Sequence, residues 1–176
     1  EAQRLVALIA DIIRLSQLDE GVELPKEPVE LLALSSEVAE NLRAAAEKAE
    51  VCIHVDGEAA TVCGVRRLLY EMIYNLCDNA VKYNKPNGSV RIHVENQEGS
   101  AVVSVMDTGI GIAPEHQDRI FERFYRVDKS HSKASGGTGL GLSIVKHAVL
   151  YHGGKITLES KPGQGTEIRV TLPEQQ

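Results

Sequence analysis

The chain has 176 residues, 43% hydrophobic and 25% charged, with a formal charge of −6 at pH 7, which is enough for one core and a small appendage. The acidic balance argues against nucleic acid as a partner, and no apolar run is long enough to cross a membrane. With no signal peptide, no Cys/His metal cluster and three scattered cysteines (Cys52, Cys63, Cys77) that read as buried free thiols, the expectation is a cytoplasmic chain without membrane contact.

Residues 1–19 are predicted to form a helix with Leu5, Leu8, Ile9, Ile12, Leu15 and Leu18 in one apolar stripe. That stripe either packs back on the domain or joins a helical bundle. Gly21 ends the helix, and 21–30 reads as a linker leading into a first extended strand, because its prolines exclude helix. A second helix follows over 31–50, with Ser35 or Ser36 near its start and Leu34, Val38, Leu42 and Ala45 on one face. Short strands at 51–55 and 60–64 flank a turn at Asp56-Gly57, and a third helix covers 65–83. Strands at 89–95 and 101–106 form a hairpin, 108–138 is irregular, and a helix at 139–152 stops at Gly153-Gly154. Two last strands, "KITLES" and "GTEIRVTL", are joined by the turn "KPGQG". The expected fold is a two-layer α/β sandwich, a mixed and mostly antiparallel sheet with three main helices on one face, preceded by one isolated helix.

The stretch "GGTGLGLSIVKHAV" (136–149) packs glycine before a helix, as either a mobile cap or an anion site. Its spacing fits neither a Walker loop nor a dinucleotide fingerprint. The helix "LLYEMIYNLCDNAVKYN" (68–84) is more informative. Leu69, Met72, Ile73, Leu76 and Ala80 make a buried stripe, while Glu71, Asn75, Asn79 and Lys82 share a second face. Asparagine inside a helix costs propensity without helping packing. Two neutral oxygen donors one turn apart, beside a carboxylate and an ammonium, suit a hydrated Mg²⁺ carrying phosphates. Asp107 ends a strand before the glycine-spaced turn "DTGIGI"; it is either a turn residue or an acceptor for the amino group of adenine. "RIFERFYRVDKSHSKASGG" holds the only phenylalanines, Phe121 and Phe124, which are expected to anchor a segment whose remainder, with Lys129, His131 and Lys133, forms a flexible cationic flap able to order on a polyanionic ligand.

Together "NLCDNAVKYN", "DTGIGI", "FERFYRVD" and "GGTGLGLSIVKHAV" resemble, in order, the N, G1, F and G2 boxes of the ATP-binding catalytic domain of sensor histidine kinases, a fold shared with type II topoisomerases and heat-shock chaperones. The resemblance covers 26–174 and implies ATP and Mg²⁺ as ligands. It implies Asn79 as a metal ligand and Asn75 on the metal or the phosphates, Lys82 and Tyr83 near phosphate and sugar, Asp107 on the adenine amine, and Gly109, Gly111 and Ile112 beside the ring. Gly137, Thr138, Gly139, Leu140, Gly141 and Leu142 would close on the phosphates, and Arg126 would reach the γ-phosphate; the catalytic set is thus Asn75, Asn79, Lys82 and Arg126. Residues 1–20 resemble the end of a dimerisation and phosphoacceptor domain, with the catalytic domain at 31–176. In that family the acceptor histidine belongs on the preceding helix, so the chain reads as a truncated kinase whose implied partners are that domain, in a homodimeric parent for which the resemblance allows a membrane anchor, and a response-regulator receiver domain. Two alternatives are an ATP hydrolase of the same fold, which would need a carboxylate where Asn75 stands, and an interaction module with a vestigial nucleotide cleft, against which the four boxes retain their polar residues.

Overall fold

Period-two alternation decides the sheet. Val90, Ile92 and Val94, then Ala101, Val103 and Val105, then Ile168, Val170 and Leu172 are all buried in one core, while the residues between them face the other way. The computed structural model describes residues 24–127 and 138–174, together with Ile9 and Ile13. The elements are β1 (Glu27–Glu30), α1 (Leu31–Lys48), β2 (Cys52–Gly57), β3 (Thr61–Gly64), α2 (Arg66–Lys82), β4 (Ser89–Gln97), β5 (Ser100–Asp107), α3 (Pro114–Gln117), α4 (Gly141–Tyr151), β6 (Lys155–Lys161) and β7 (Gly165–Pro173).

Five strands form one sheet in the order β2-β4-β5-β7-β6, antiparallel except for the β2–β4 pair, and β1 pairs with β3 separately. A parallel pair needs a crossover, and α2 lies within the connection from β2 to β4. Likewise α4 carries the chain from β5 past β7 to β6. Both crossovers pack on the same face, where α1, α2 and α4 bury Leu34, Val38, Leu42, Leu69, Met72, Ile73, Leu76, Val145 and Val149. The layered fold is as expected.

Several local expectations change. Asp56 and Gly57 belong to β2 instead of turning the chain into β3, and Asp56 is held by Arg91 Nε at 2.7 Å and by His93, both on β4. The start of α1 is capped by Glu30, whose carboxylate accepts from the N–H groups of Leu32 and Ala33 at 2.7 Å each; Ser35 and Ser36 hydrogen-bond back to Leu31 and Leu32 inside the helix. Cys77 is buried, and burial pushes its thiol pKa up, whereas Cys52 is exposed on the edge strand β2 and Cys63 is half-buried. Of the predicted first helix only Ile9 and Ile13 are described; both are helical and exposed.

Candidate functional site

The site lies where the two crossover helices meet. Asn75 and Asn79 sit half-buried on α2, at the border between its core stripe and solvent. Asn75 Nδ2 donates to the Glu71 carbonyl at 2.7 Å, which leaves Oδ1 against the start of α4: a Cβ added at Gly141 would come within 2.9 Å of it. A side chain at 141 would therefore have to displace the Asn75 carboxamide, which glycine leaves in place. Among the described residues none hydrogen-bonds the Asn79 carboxamide. Lys82, expected near phosphate, reaches back one turn to Asp78 at 2.5 Å, and Tyr83 is exposed at the end of the helix.

Asp107 ends β5 on the helix-facing side. The Gly109 N–H donates to its Oδ1 at 2.8 Å, and the Thr166 backbone N–H reaches the same carboxyl group. Burial raises its pKa above the ordinary 3.8, opposed by these two hydrogen bonds. The bare faces of Gly109 and Gly111 meet the protein's own backbone: side chains there would approach the Tyr83 carbonyl oxygen to 2.3 Å and the Lys161 carbonyl oxygen to 2.1 Å. Gly111 also has φ +69, a left-handed conformation open to glycine at little cost. The turn is thus pressed between the end of α2, where Ile110 N–H donates to the Tyr83 carbonyl at 3.1 Å, and the β6–β7 hairpin. Ile112 is half-buried beside Asp107's turn.

At α4, Thr138 Oγ1 accepts from Leu140 N–H at 3.3 Å, Leu140 is fully buried against Ile144, and Leu142 is half-buried. No side chain caps the helix. Its first turn therefore offers backbone N–H groups, next to Asn75, to an anion. The Phe124 N–H donates to the Gly139 carbonyl at 2.9 Å, joining the F and G2 segments, and half-buried Arg126 lies alongside with Cγ 3.3 Å from a Cβ built on Gly139. Phe124 itself is exposed with φ +63, so it anchors nothing by burial. The anchors are buried Ile120 and a cluster in which Tyr125 Oη meets His116 Nδ1 at 2.6 Å under the Arg119 guanidinium, 4.4 Å from the ring. Gly137, Lys129, His131 and Lys133 lie outside the described residues.

The structure therefore brings together Asn75, Gly139, Leu140 and Gly141, and separately Tyr83, Asp107, Gly109 and Gly111, along one edge of the helix layer. Among the described residues there is no cluster of three or more His, Cys, Asp or Glu able to cage a metal. A hydrated divalent ion held by amide oxygens and by the ligand's own phosphates fits this donor set; an all-protein cage does not. Ser160, Thr166 and Gln117, which surround the Asp107 turn, were not singled out from the sequence. The available signal was alternation: Ile156, Leu158, Ser160 and Thr166, Ile168, Val170 place a polar residue at an inward-facing position.

A layered sheet whose two crossover helices present paired asparagines and an uncapped glycine turn defines a class, and the chain belongs to it: residues 64–176 match the family described as histidine kinase-, DNA gyrase B- and HSP90-like ATPases. Within that family the relatives are sensor histidine kinases. The chain is 41% identical to the sensor-like histidine kinase SenX3 of Mycolicibacterium smegmatis over 99% of its own length and 46% of that protein's. It is 38% identical to the sensor histidine kinase RppB of Synechocystis over 98% of its length and 39% of that protein's. Among solved structures, the mycobacterial sensor histidine kinase MprB superposes with a TM-score of 0.74 at 31% identity, covering 84% of this chain and 97% of that one. Full-length ShkA in complex with AMPPNP gives 0.86 at 30% identity, covering 96% of this chain and 35% of ShkA. The domain is a histidine kinase catalytic ATP-binding domain, and the chain spans less than half the length of the curated relatives it matches.

Proposed function

We propose that this chain binds Mg·ATP between α2, α4 and the Asp107 turn and passes the γ-phosphoryl group to a histidine on a dimerisation and phosphoacceptor domain. The observation that carries the reading is the nearness of Asn75 Oδ1 to Gly141, 2.9 Å from where a Cβ there would stand, which sets the asparagine face beside an uncapped helix start. Asp107 would accept from the adenine amino group, and Tyr83 would flank the sugar. Asn79 and Asn75 would hold Mg²⁺, which when bound neutralises phosphate charge and orients the chain of phosphates. The N–H groups of Gly141 and Leu142, with Thr138, Gly139 and Leu140 lining the approach, would orient the β- and γ-phosphates, and Arg126 and Lys82 would add positive charge. Lys82 must first leave Asp78, a surface pair of small worth.

Little covalent help is asked of the protein: a histidine nitrogen bonds to the γ-phosphorus, the bond to the β–γ bridging oxygen breaks, and ADP leaves with that electron pair. The amide at Asn75, where a hydrolase needs a carboxylate to activate water, favours transfer over hydrolysis. By family likeness the phosphoryl group then moves to a response-regulator receiver domain, and the parent is a homodimer with this domain in the cytoplasm. Among the described residues no helix is long and apolar enough to cross a membrane. The test is γ-labelled ATP incubated with the chain and a separately supplied phosphoacceptor domain, with and without Mg²⁺. Label on the acceptor histidine is the expected result; label released only as free phosphate would make the protein a hydrolase.

A further inference from the structure

The turn after Asp107 is sewn to the β6–β7 hairpin by groups outside the proposed phosphate and metal contacts. Ser160 Oγ accepts from the Ile112 N–H at 2.8 Å, donates to the Gly165 carbonyl at 3.0 Å and meets Thr166 Oγ1 at 2.8 Å. Gln117 Nε2 donates to the Ile112 carbonyl at 2.9 Å and to the Ser160 carbonyl at 3.1 Å. Ile112 is therefore gripped at both backbone groups, its N–H by Ser160 and its C=O by Gln117. Strand register sets Ser160 opposite Thr166 and Thr166 opposite Asp107. Residues directly opposite share a face, so the three side chains stand in one row across β6, β7 and β5. Leu158, Ile168 and Val105, two residues along each strand, pack in or against the core, so the row faces the helices.

We propose that Ser160, seated by Gln117, is a positioning residue for the purine base and lets the site distinguish an exocyclic amino group from a carbonyl oxygen. The inference rests on the ATP reading above. An ionised carboxylate only accepts hydrogen bonds, so Asp107 pairs with an amino group and repels an oxo group. Its aim is set by the N–H groups of Gly109 and Thr166, which come from the turn and from the hairpin. The Ser160 hydroxyl pins both: the turn through Ile112 and the hairpin through Gly165 and Thr166. Without it the two donors shift independently, and the loss falls on contact with the base while the phosphate contacts of α4 stay in place.

The experiment is calorimetric titration of Mg·ATP and Mg·ITP, which differ at the purine 6 position (amino against oxo, the latter with a hydrogen on N1), into the wild type, Ser160→Ala, Ser160→Thr and Gln117→Glu. The wild type should prefer ATP, and Ser160→Ala should shrink that preference about threefold to tenfold, the effect of one net hydrogen bond, by weakening ATP and leaving ITP nearly unchanged. Ser160→Thr, which keeps the hydroxyl, should restore the preference. Gln117→Glu, which sets a carboxylate against two carbonyls, should shrink it too and supports the test if Ser160→Ala fails to fold. Equal losses for ATP and ITP in these variants, or an unmoved ratio, overturn the inference alone. A wild type that binds neither nucleotide overturns the ATP reading and this one with it.

Discussion

Burial at the end of β5 raises the pKa of Asp107, and the N–H groups of Gly109 and Thr166 only partly offset that. The carboxylate that the proposed adenine contact needs is thus less easily kept than an exposed one. Asp107→Ala should remove a charge-assisted hydrogen bond of about 1.5–3 kcal/mol, a roughly tenfold to hundredfold loss of ATP affinity measurable by titration. Because protonation removes the acceptor and the folded-state pKa lies above 3.8, ATP affinity should decline as pH falls and begin to do so sooner than an ordinary aspartate would allow. In Asp107→Ala that portion of the decline should vanish. Asparagines 75 and 79 were legible because a helix interior penalises them, so their presence asks for a reason. Ser160, Thr166 and Gln117 were not, because a serine or threonine near a hairpin turn is ordinary and its meaning depends on three strands coming into register.

The elements show the same division between local and distant causes. The long helices and the β4–β5 hairpin were legible because their signals are local: spaced apolar residues and a short polar turn. The Asp-Gly signal at 56–57 misled because the partner of β2 is β4, across the α2 crossover, and Asp56 is engaged by Arg91 and His93 there. Helix α4 ends in a Schellman arrangement, with Gly153 at φ +67 and hydrogen bonds from Gly153 N–H to the Leu150 carbonyl and from Gly154 N–H to the Val149 carbonyl. At that end buried His152 accepts from the Val65 N–H, which immediately precedes α2, through Nε2 at 3.0 Å. Nδ1 therefore carries the hydrogen and donates to the Ala148 carbonyl at 2.7 Å. Burial, with the charge of Lys26, lowers the pKa of His152 below 6.5, against the contribution of Ala148. The unfolded chain then binds the extra proton first, so this contribution to stability is complete above 6.5 and is lost as pH falls from there through the folded-state value. His152→Ala should cost about 1–3 kcal/mol at neutral pH by stranding the Val65 N–H, and urea melts should show a weaker acid dependence in the variant.

For the molecule as a whole, a ligand that grips α2, α4 and the Asp107 turn at once must stabilise the whole fold. Saturation with Mg·ATP at about a hundred times the dissociation constant should add about 2.7 kcal/mol. For a domain of this size that raises Tm by about 5–10 °C in a melting scan, and an unshifted Tm would count against a shared cleft.

The mooring of Leu24, whose N–H donates to Tyr151 Oη at 2.9 Å, carries a mechanical corollary. Lys26 sits over the same ring, 5.8 Å from its centre. Tyr151 and Gly141 stand at opposite ends of α4, about 15 Å apart along its axis. Leu24 and Lys26 are thus leashed to the heel of the helix whose toe lies beside Asn75. A Cβ built on Gly141 would stand only 2.9 Å from the Asn75 oxygen, so the toe sits close beside α2, and a tug that rolls the heel should change the spacing there.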